Sequence, residues 1–299
     1  MTRIGRWIIP FLLLPAPATL AAQQDPAPSD GDTGPALPEL LLPERKATQE
    51  IDPEVQAARA RRYRSCIAMT ARTASAALNE AARWRAEDGG LPARHCAAVA
   101  LTAQGSHSRA ADMLADIAAE LQSGAAWQAD RPPDMPRLMG NLYGQIGNSL
   151  LLARKPDEAI EAFSAGLNEF LDPRQMAAGE LYLDRARAHG LLGRFERALA
   201  DLDRARDILG ARGDIALYRA SALRRLDRLE DATEAVATAI KADGESAQAL
   251  IERAAIHASK DDIAAARRDW QTVLDRWPQS IAARTAEANL SATEGVERP

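Results

Sequence analysis

From about residue 51 onward, apolar residues recur every three to four positions, in blocks separated by short polar or glycine-containing breaks, and strict alternation is scarce. The first pattern lays one apolar stripe along a helix; the second would have marked strands. An all-α chain is therefore expected. Three blocks show how it is organised: LYLDRARAHGLLGRFERALADLDRA from Leu181, ALYRASALRRLDRLEDATEAVATAI from Ala216 and ALIERAAIHASKDDIAAARRDWQTV from Ala249. Ala186, Ala220 and Ala254 stand 34 residues apart, as do Ala198, Ala232 and Ala266. A constant interval of this length points to a stacked repeat, in which no unit can bury its apolar face alone.

Within the blocks, small residues occupy fixed positions: Ala186, Ala198 and Ala205 in one, Ala220, Ala232 and Ala239 in the next. Four residues after the second alanine comes a larger one, Leu202, Val236 and Trp270 in turn. Gly193, Asp227 and Asp261 sit at one register as turn residues, and Pro278 follows Ala266 by 12 positions. These residues resemble the tetratricopeptide repeat, a helix-turn-helix unit with small residues where its helices cross and a bulky one filling the gap. On the second helix, positions i, i+4 and i+7 face one side, so Ala266, Trp270 and Val273 form a buried stripe with Trp270 as its plug.

The resemblance covers about 51–292 and implies an all-α, right-handed superhelical α-solenoid. Its expected units are 55–88, 91–123, 134–171, 175–209, 213–243 and 247–278, closed by a capping helix at 280–292. Two earlier units carry longer connections: Gly147, Ala159 and Phe163 mark one, and Ala98, Ala110 and Leu114 the other. The larger insertion is 125–136, and a degenerate first unit contains Ala77, Ala81 and Trp84. The family's first-helix Trp and Tyr are mostly absent, with Tyr182 the best match; a different helical solenoid is the alternative. The resemblance further implies a concave surface lined by first helices. By register, its residues are Asn141, Gln145 and Asn148, then Asp184 and Arg187, then Tyr218, Ser221 and Arg225. Amide side chains there can hydrogen-bond an extended peptide backbone, and the arginines can take carboxylates.

The ends have a different character. Arg3 and Arg6 precede an apolar run from Trp7 to Leu14, followed by small residues ending at Ala21 and Ala22, the layout of a secretory signal peptide spanning 1–22. The run falls well short of the roughly 20 residues a membrane span needs, so no stable span is expected after cleavage. The first cysteine is Cys66, which leaves no candidate for lipid attachment near the cleavage point. Residues 23–50 are rich in Pro, Asp, Gly and Glu and read as a disordered tether. Only the run from Glu39 to Leu42 can dock on the body or a partner. Residues 293–299 are expected to be a disordered tail.

A formal net charge of −5 weighs against nucleic acid as a partner. Cys66 and Cys96 are the only cysteines, and an exported chain meets an oxidising compartment. They fall on expected first helices of adjacent units, which can bring their Cα atoms into disulfide range. Closing that loop stabilises by roughly 3–4 kcal/mol in the chain-entropy model; two buried free thiols are the alternative. His95, His107, His189 and His257 form no i, i+4 pair and accompany no C-x-x-C, so no metal is expected. With no nucleophile elbow, zincin helix or phosphate-cradling loop, neither catalysis nor a cofactor is expected. The expectation is a non-enzymatic periplasmic scaffold that binds a protein or peptide segment. The alternatives are a holding chaperone, which needs exposed apolar surface, and a self-associating structural array.

Overall fold

The computed structural model describes residues 53–87, 89–124, 134–170, 172 and 174–293. The expected signal segment 1–22, the tether 23–50 and the end of the tail, 294–299, lie outside the described residues, as does most of the insertion at 125–136. The described residues form thirteen helices and no strand. Six pair in sequence as hairpins with a second helix each: α1 (Pro53–Thr70) with α2 (Ala74–Ala86), α3 (Gly90–Ala103) with α4 (His107–Gln122), and α5 (Met135–Leu152) with α6 (Pro156–Glu169). Then come α7 (Met176–Leu191) with α8 (Phe195–Leu209), α9 (Gly213–Arg225) with α10 (Leu229–Asp243), and α11 (Ala247–Ser259) with α12 (Ile263–Arg276); α13 (Ile281–Ala292) is last. The described residues form two compact units, one up to Asp184 and one from Arg185, the boundary falling within α7.

In the N-terminal unit each helix from α1 to α6 packs on its chain neighbours, and α1 also packs on α3. In the C-terminal unit α8 to α13 do the same, with α9 reaching α11 and α11 reaching α13. Contacts confined to neighbours and next-but-one neighbours are what a stack of hairpins produces.

The hairpin turns explain why each pair folds back. Gly105, Arg154, Gly193, Asp227 and Asp261 all have φ between 61° and 79°. In each turn the next residue's N–H reaches a carbonyl five positions back, as in Arg194 to His189, Arg228 to Leu223 and Asp262 to His257, all 2.9–3.0 Å. This satisfies carbonyls that the helix end would otherwise leave unpaired. The following helices start with their own devices. Pro156 opens α6 with Asp157 and Glu158 in its first turn. Asp262 Oδ1 accepts from the Ala265 N–H at 2.9 Å at the head of α12, and Ser280 Oγ accepts from Ala283 at the head of α13.

The small positions are where the helices close in. Ala98, Ala110, Ala159, Ala198, Ala220, Ala232, Ala254 and Ala266 have no exposed surface, and Ala186 is 1% exposed. The plugs Leu114, Phe163, Leu202, Val236 and Trp270 are likewise buried. Gly147 shows how tight the approach is: a Cβ there would lie 2.5 Å from the Phe163 ring, and one at Gly140 would lie 2.4 Å from Phe170. Trp270 packs with Leu250, Ala254, Val273, Ala283 and Ala286 into one cluster, with Trp277 and Leu290 along its edge. α12 ends at Arg276, and Trp277 and the exposed Pro278 lead into α13. Thr293, assigned from the sequence to the tail, is instead buried, its hydroxyl receiving a bond from Arg267 at 2.8 Å.

Cys66 of α1 and Cys96 of α3 are bonded, with Cα atoms 6.1 Å apart. The crosslink joins two successive first helices and sits among Ala81 and Ala97.

Two outcomes follow from this packing. Trp270→Ala is expected to lower the unfolding free energy by about 3–5 kcal/mol, because transfer and cavity terms add at a site with no exposed surface; urea denaturation followed by circular dichroism measures it. The unfolded, unreduced chain should contain no free thiol, and reduction should lower stability by roughly 3 kcal/mol, read from a thiol count and from melts with and without reductant.

Candidate functional site

The first helices carry every residue expected to meet a ligand, so each is placed here within its own unit. In the N-terminal unit, Asn141, Gln145 and Asn148 stand on α5, all half-buried. Gln145 Oε1 accepts a hydrogen bond from His95 Nε2 of α3 at 2.9 Å. With its proton on Nε2, the imidazole accepts at Nδ1 from the Tyr63 hydroxyl of α1 at 2.8 Å. Asn148 Nδ2 donates to Asp184 Oδ2 of α7 at 2.8 Å. The sequence reading left Gln145, Asn148 and Asp184 open to a peptide; in the structure they bond to the neighbouring first helix. A half-buried amide loses more by standing unpaired than by closing on a partner one helix away.

Burial decides the ionisation of this row. His95 is almost wholly enclosed, and loss of solvent pulls its pKa down to about 4, against a smaller opposing effect from Gln145. Burial also raises the Tyr63 hydroxyl well above its ordinary value. Both side chains are therefore neutral near pH 7.

In the C-terminal unit, the Arg187 guanidinium lies 6.0 Å from the Tyr218 ring centroid, and that of Arg225 lies 5.1 Å from the Phe195 ring. Arg187 is half-buried and Arg225 exposed. Tyr218 and Ser221, by contrast, are only 6% and 1% exposed. That corrects their assignment to an open surface: register on a helix gives the direction of a side chain, while the packing of the next helix decides whether solvent reaches it. Arg224, adjacent in sequence to Arg225, is turned inward and pairs with Glu252 of α11, its Nε 2.6 Å from Oε1. Glu252 has no exposed surface, so the pair satisfies a charge that would be costly alone.

Sequence reasoning missed Tyr63, Arg224 and Glu252, while His95 is the satisfied structural histidine it expected. For Glu252 a signal existed: Asp184, Tyr218 and Glu252 stand 34 residues apart. Each receives a side chain from the first helix before it, from Asn148, Arg187 and Arg224 respectively. Within hairpins, a second recurring link joins first to second helix. Arg185 binds Asp201 and Arg253 binds Asp269, each through two hydrogen bonds of 2.8–2.9 Å. His189 sits near Asp201, at 3.9 Å, yet burial holds its pKa below the usual value.

Among the described residues no cluster of His, Cys, Asp and Glu has the makings of a metal site, and no helix is long and apolar enough to cross a membrane. The arrangement offers hydrogen-bonding and cationic side chains on rigid helices, and within the expected set Asn141 and Arg187 are half-buried and Arg225 is exposed.

No protein-family model matches the chain, and no curated protein matches it. Solved structures do. PilF of Pseudomonas aeruginosa aligns over 77% of this chain and 99% of its own, with a TM-score of 0.56 and 11% identity. A tetratricopeptide repeat protein from Parabacteroides merdae aligns over 68% of this chain and 78% of its own, with a TM-score of 0.50 and 15% identity. The Cut9–Hcn1 hetero-tetramer of the APC/C aligns over 80% of this chain and 43% of the matched chain, with a TM-score of 0.50 and 16% identity. At such identities the likeness speaks for the fold, which is the all-α tetratricopeptide-repeat solenoid.

Lowering the pH tests the His95 row. The folded pKa lies below the unfolded value, so the neutral ring favours the fold: this contribution is complete above about pH 6.5 and is lost as pH falls toward 4. The loss should reach roughly 3 kcal/mol, and His95→Gln should flatten that part of the stability profile, measured by denaturation at a series of pH values.

Proposed function

We propose that this chain is a non-enzymatic scaffold of the periplasm, which holds a segment of another protein against its first helices. The observation that carries the reading is the row of amide and guanidinium side chains on helices pinned to one another. Tyr63–His95–Gln145, Asn148–Asp184 and Arg224–Glu252 fix the spacing of successive first helices within each unit. On that fixed background Asn141, Arg187 and Arg225 bring amide and guanidinium groups that can meet backbone carbonyls or carboxylates. Asp184, Gln145 and Asn148 contribute by holding the platform, and Tyr218 by supporting Arg187 from below.

Two further observations favour the reading. A crosslink between Cys66 and Cys96 suits an oxidising compartment, in keeping with removal of residues 1–22 on export. A solved structure with the same fold, Cut9–Hcn1, is a hetero-tetramer, which makes assembly with other chains a natural use of stacked hairpins. A holding chaperone would call for contiguous exposed apolar surface. The large apolar side chains exposed among the described residues are Val55, Leu152, Met176 and Ile281, one on each of four helices.

The test combines Asn141→Ala, Arg187→Ala and Arg225→Ala. Each arginine–ring contact contributes only about 0.5–1 kcal/mol at an exposed site, so the melting temperature should move by a few degrees at most. Crosslinking in intact cells followed by mass spectrometry should recover a protein partner with the native chain and lose it with the triple variant at equal abundance. Undiminished recovery would reject the first-helix surface.

A further inference from the structure

The 34-residue register of the C-terminal unit lets one boundary between hairpins be compared with the next. Where α8 meets α9, Asp203 is paired with Arg219. One repeat later the same two positions hold Ala237 of α10 and Arg253 of α11. With no carboxylate opposite, Arg253 turns to Asp269 of its own hairpin and lies 3.6 Å from Glu245. Between α10 and α11 a groove of about 270 Å³ is left open. Val236, Ala237, Ile240 and Ile256 line it together with Thr233, Lys241, Arg253 and His257. A largely aliphatic groove with Lys241 at its edge asks for an apolar segment with a carboxylate beside it.

The chain itself contains one. Residues 39–44 read Glu-Leu-Leu-Leu-Pro-Glu, the longest run of consecutive aliphatic residues in the otherwise polar and proline-rich 23–50. We propose that the α10–α11 groove receives residues 39–44 of a second copy of this chain. Pro38 and Pro43 bracket the leucines and favour extended backbone, which lowers the entropy lost on docking. Leu40 and Leu42 supply the apolar side chains for such a groove, and Glu39 and Glu44 the carboxylates beside them. The segment leaves from the start of one compact unit and the groove belongs to the other. Pairing between copies therefore requires no particular arrangement of the two units within one molecule. The contact is head-to-tail, since the donating segment and the receiving groove are different surfaces, and it can extend from copy to copy.

The experiment places a photo-crosslinking phenylalanine analogue at Leu41 of the full chain and mixes isotopically light and heavy copies. Expected are crosslinks from position 41 to peptides within 233–257, half of them joining light to heavy chain. Ala237→Asp restores at α10 the carboxylate found at Asp203, on an exposed position that the fold tolerates, and should weaken self-association at least tenfold by sedimentation. Leu40→Asp with Leu42→Asp should do the same, and Glu39→Lys with Glu44→Lys should be rescued in part by Lys241→Glu. Crosslinks confined to one copy, crosslinks mapping elsewhere, or self-association unmoved by Ala237→Asp would each overturn the proposal. None of these readouts depends on Asn141, Arg187 or Arg225, so the first-helix surface is judged separately.

Discussion

Two helices can be brought within van der Waals reach only where neither carries a side chain between them, and this constraint organises the chain. Ala198, Ala220, Ala232, Ala254 and Ala266 are without exposed surface because each is such a point. Close approach leaves a hole beside each crossing, which Leu202, Val236 and Trp270 fill. The N-terminal unit solves the same problem with glycine: at Gly147 even a methyl group would strike the Phe163 ring. Since dispersion contacts fall away within a fraction of an ångström, the small residue and the plug are meaningful only together.

Packing of this kind fixes distances and leaves polar groups to be accounted for. The first helices answer with links from each one to the next: a phenol to an imidazole to an amide, an amide to a carboxylate, a guanidinium to a ring, and a guanidinium to a buried carboxylate. Directional links of this kind tolerate no slip along the helix, whereas alanine faces alone would. Their cost falls on recognition. An amide closed on a neighbour has fewer bonds to offer a ligand, so the surface left for binding is narrower than the register alone suggests.

How far the sequence could be read follows from this division. The 34-residue interval, the turns at Gly193, Asp227 and Asp261 and the plug at Trp270 were legible because each depends on residues within one hairpin, where spacing dictates geometry. The pairing of Cys66 with Cys96 was legible once both were placed on successive first helices. The surroundings of Gln145, Asn148, Tyr218 and Ser221 were not legible because they come from the next hairpin. Arg224 and Arg225 differ by one position and face opposite environments. Similarly, Arg219 and Arg253 occupy one register yet choose different carboxylates: α10 carries Ala235 where α8 and α12 carry Asp201 and Asp269, and Ala237 where α8 carries Asp203. Periodicity identifies equivalent positions; it does not say which partner wins.

A stack held by nearest neighbours loosens from its ends, because a terminal helix has only one side to leave. Here α1 is tied to α3 through sulfur, while α13 is retained by packing on α11 and α12 and by the bonds of Arg267 to Leu290 and Thr293. Fraying is thus given a direction: a protease or an unfolding motor that finds the last helix meets an ordinary transition, whereas one that starts at the first meets a covalent stop before it reaches the end of α1.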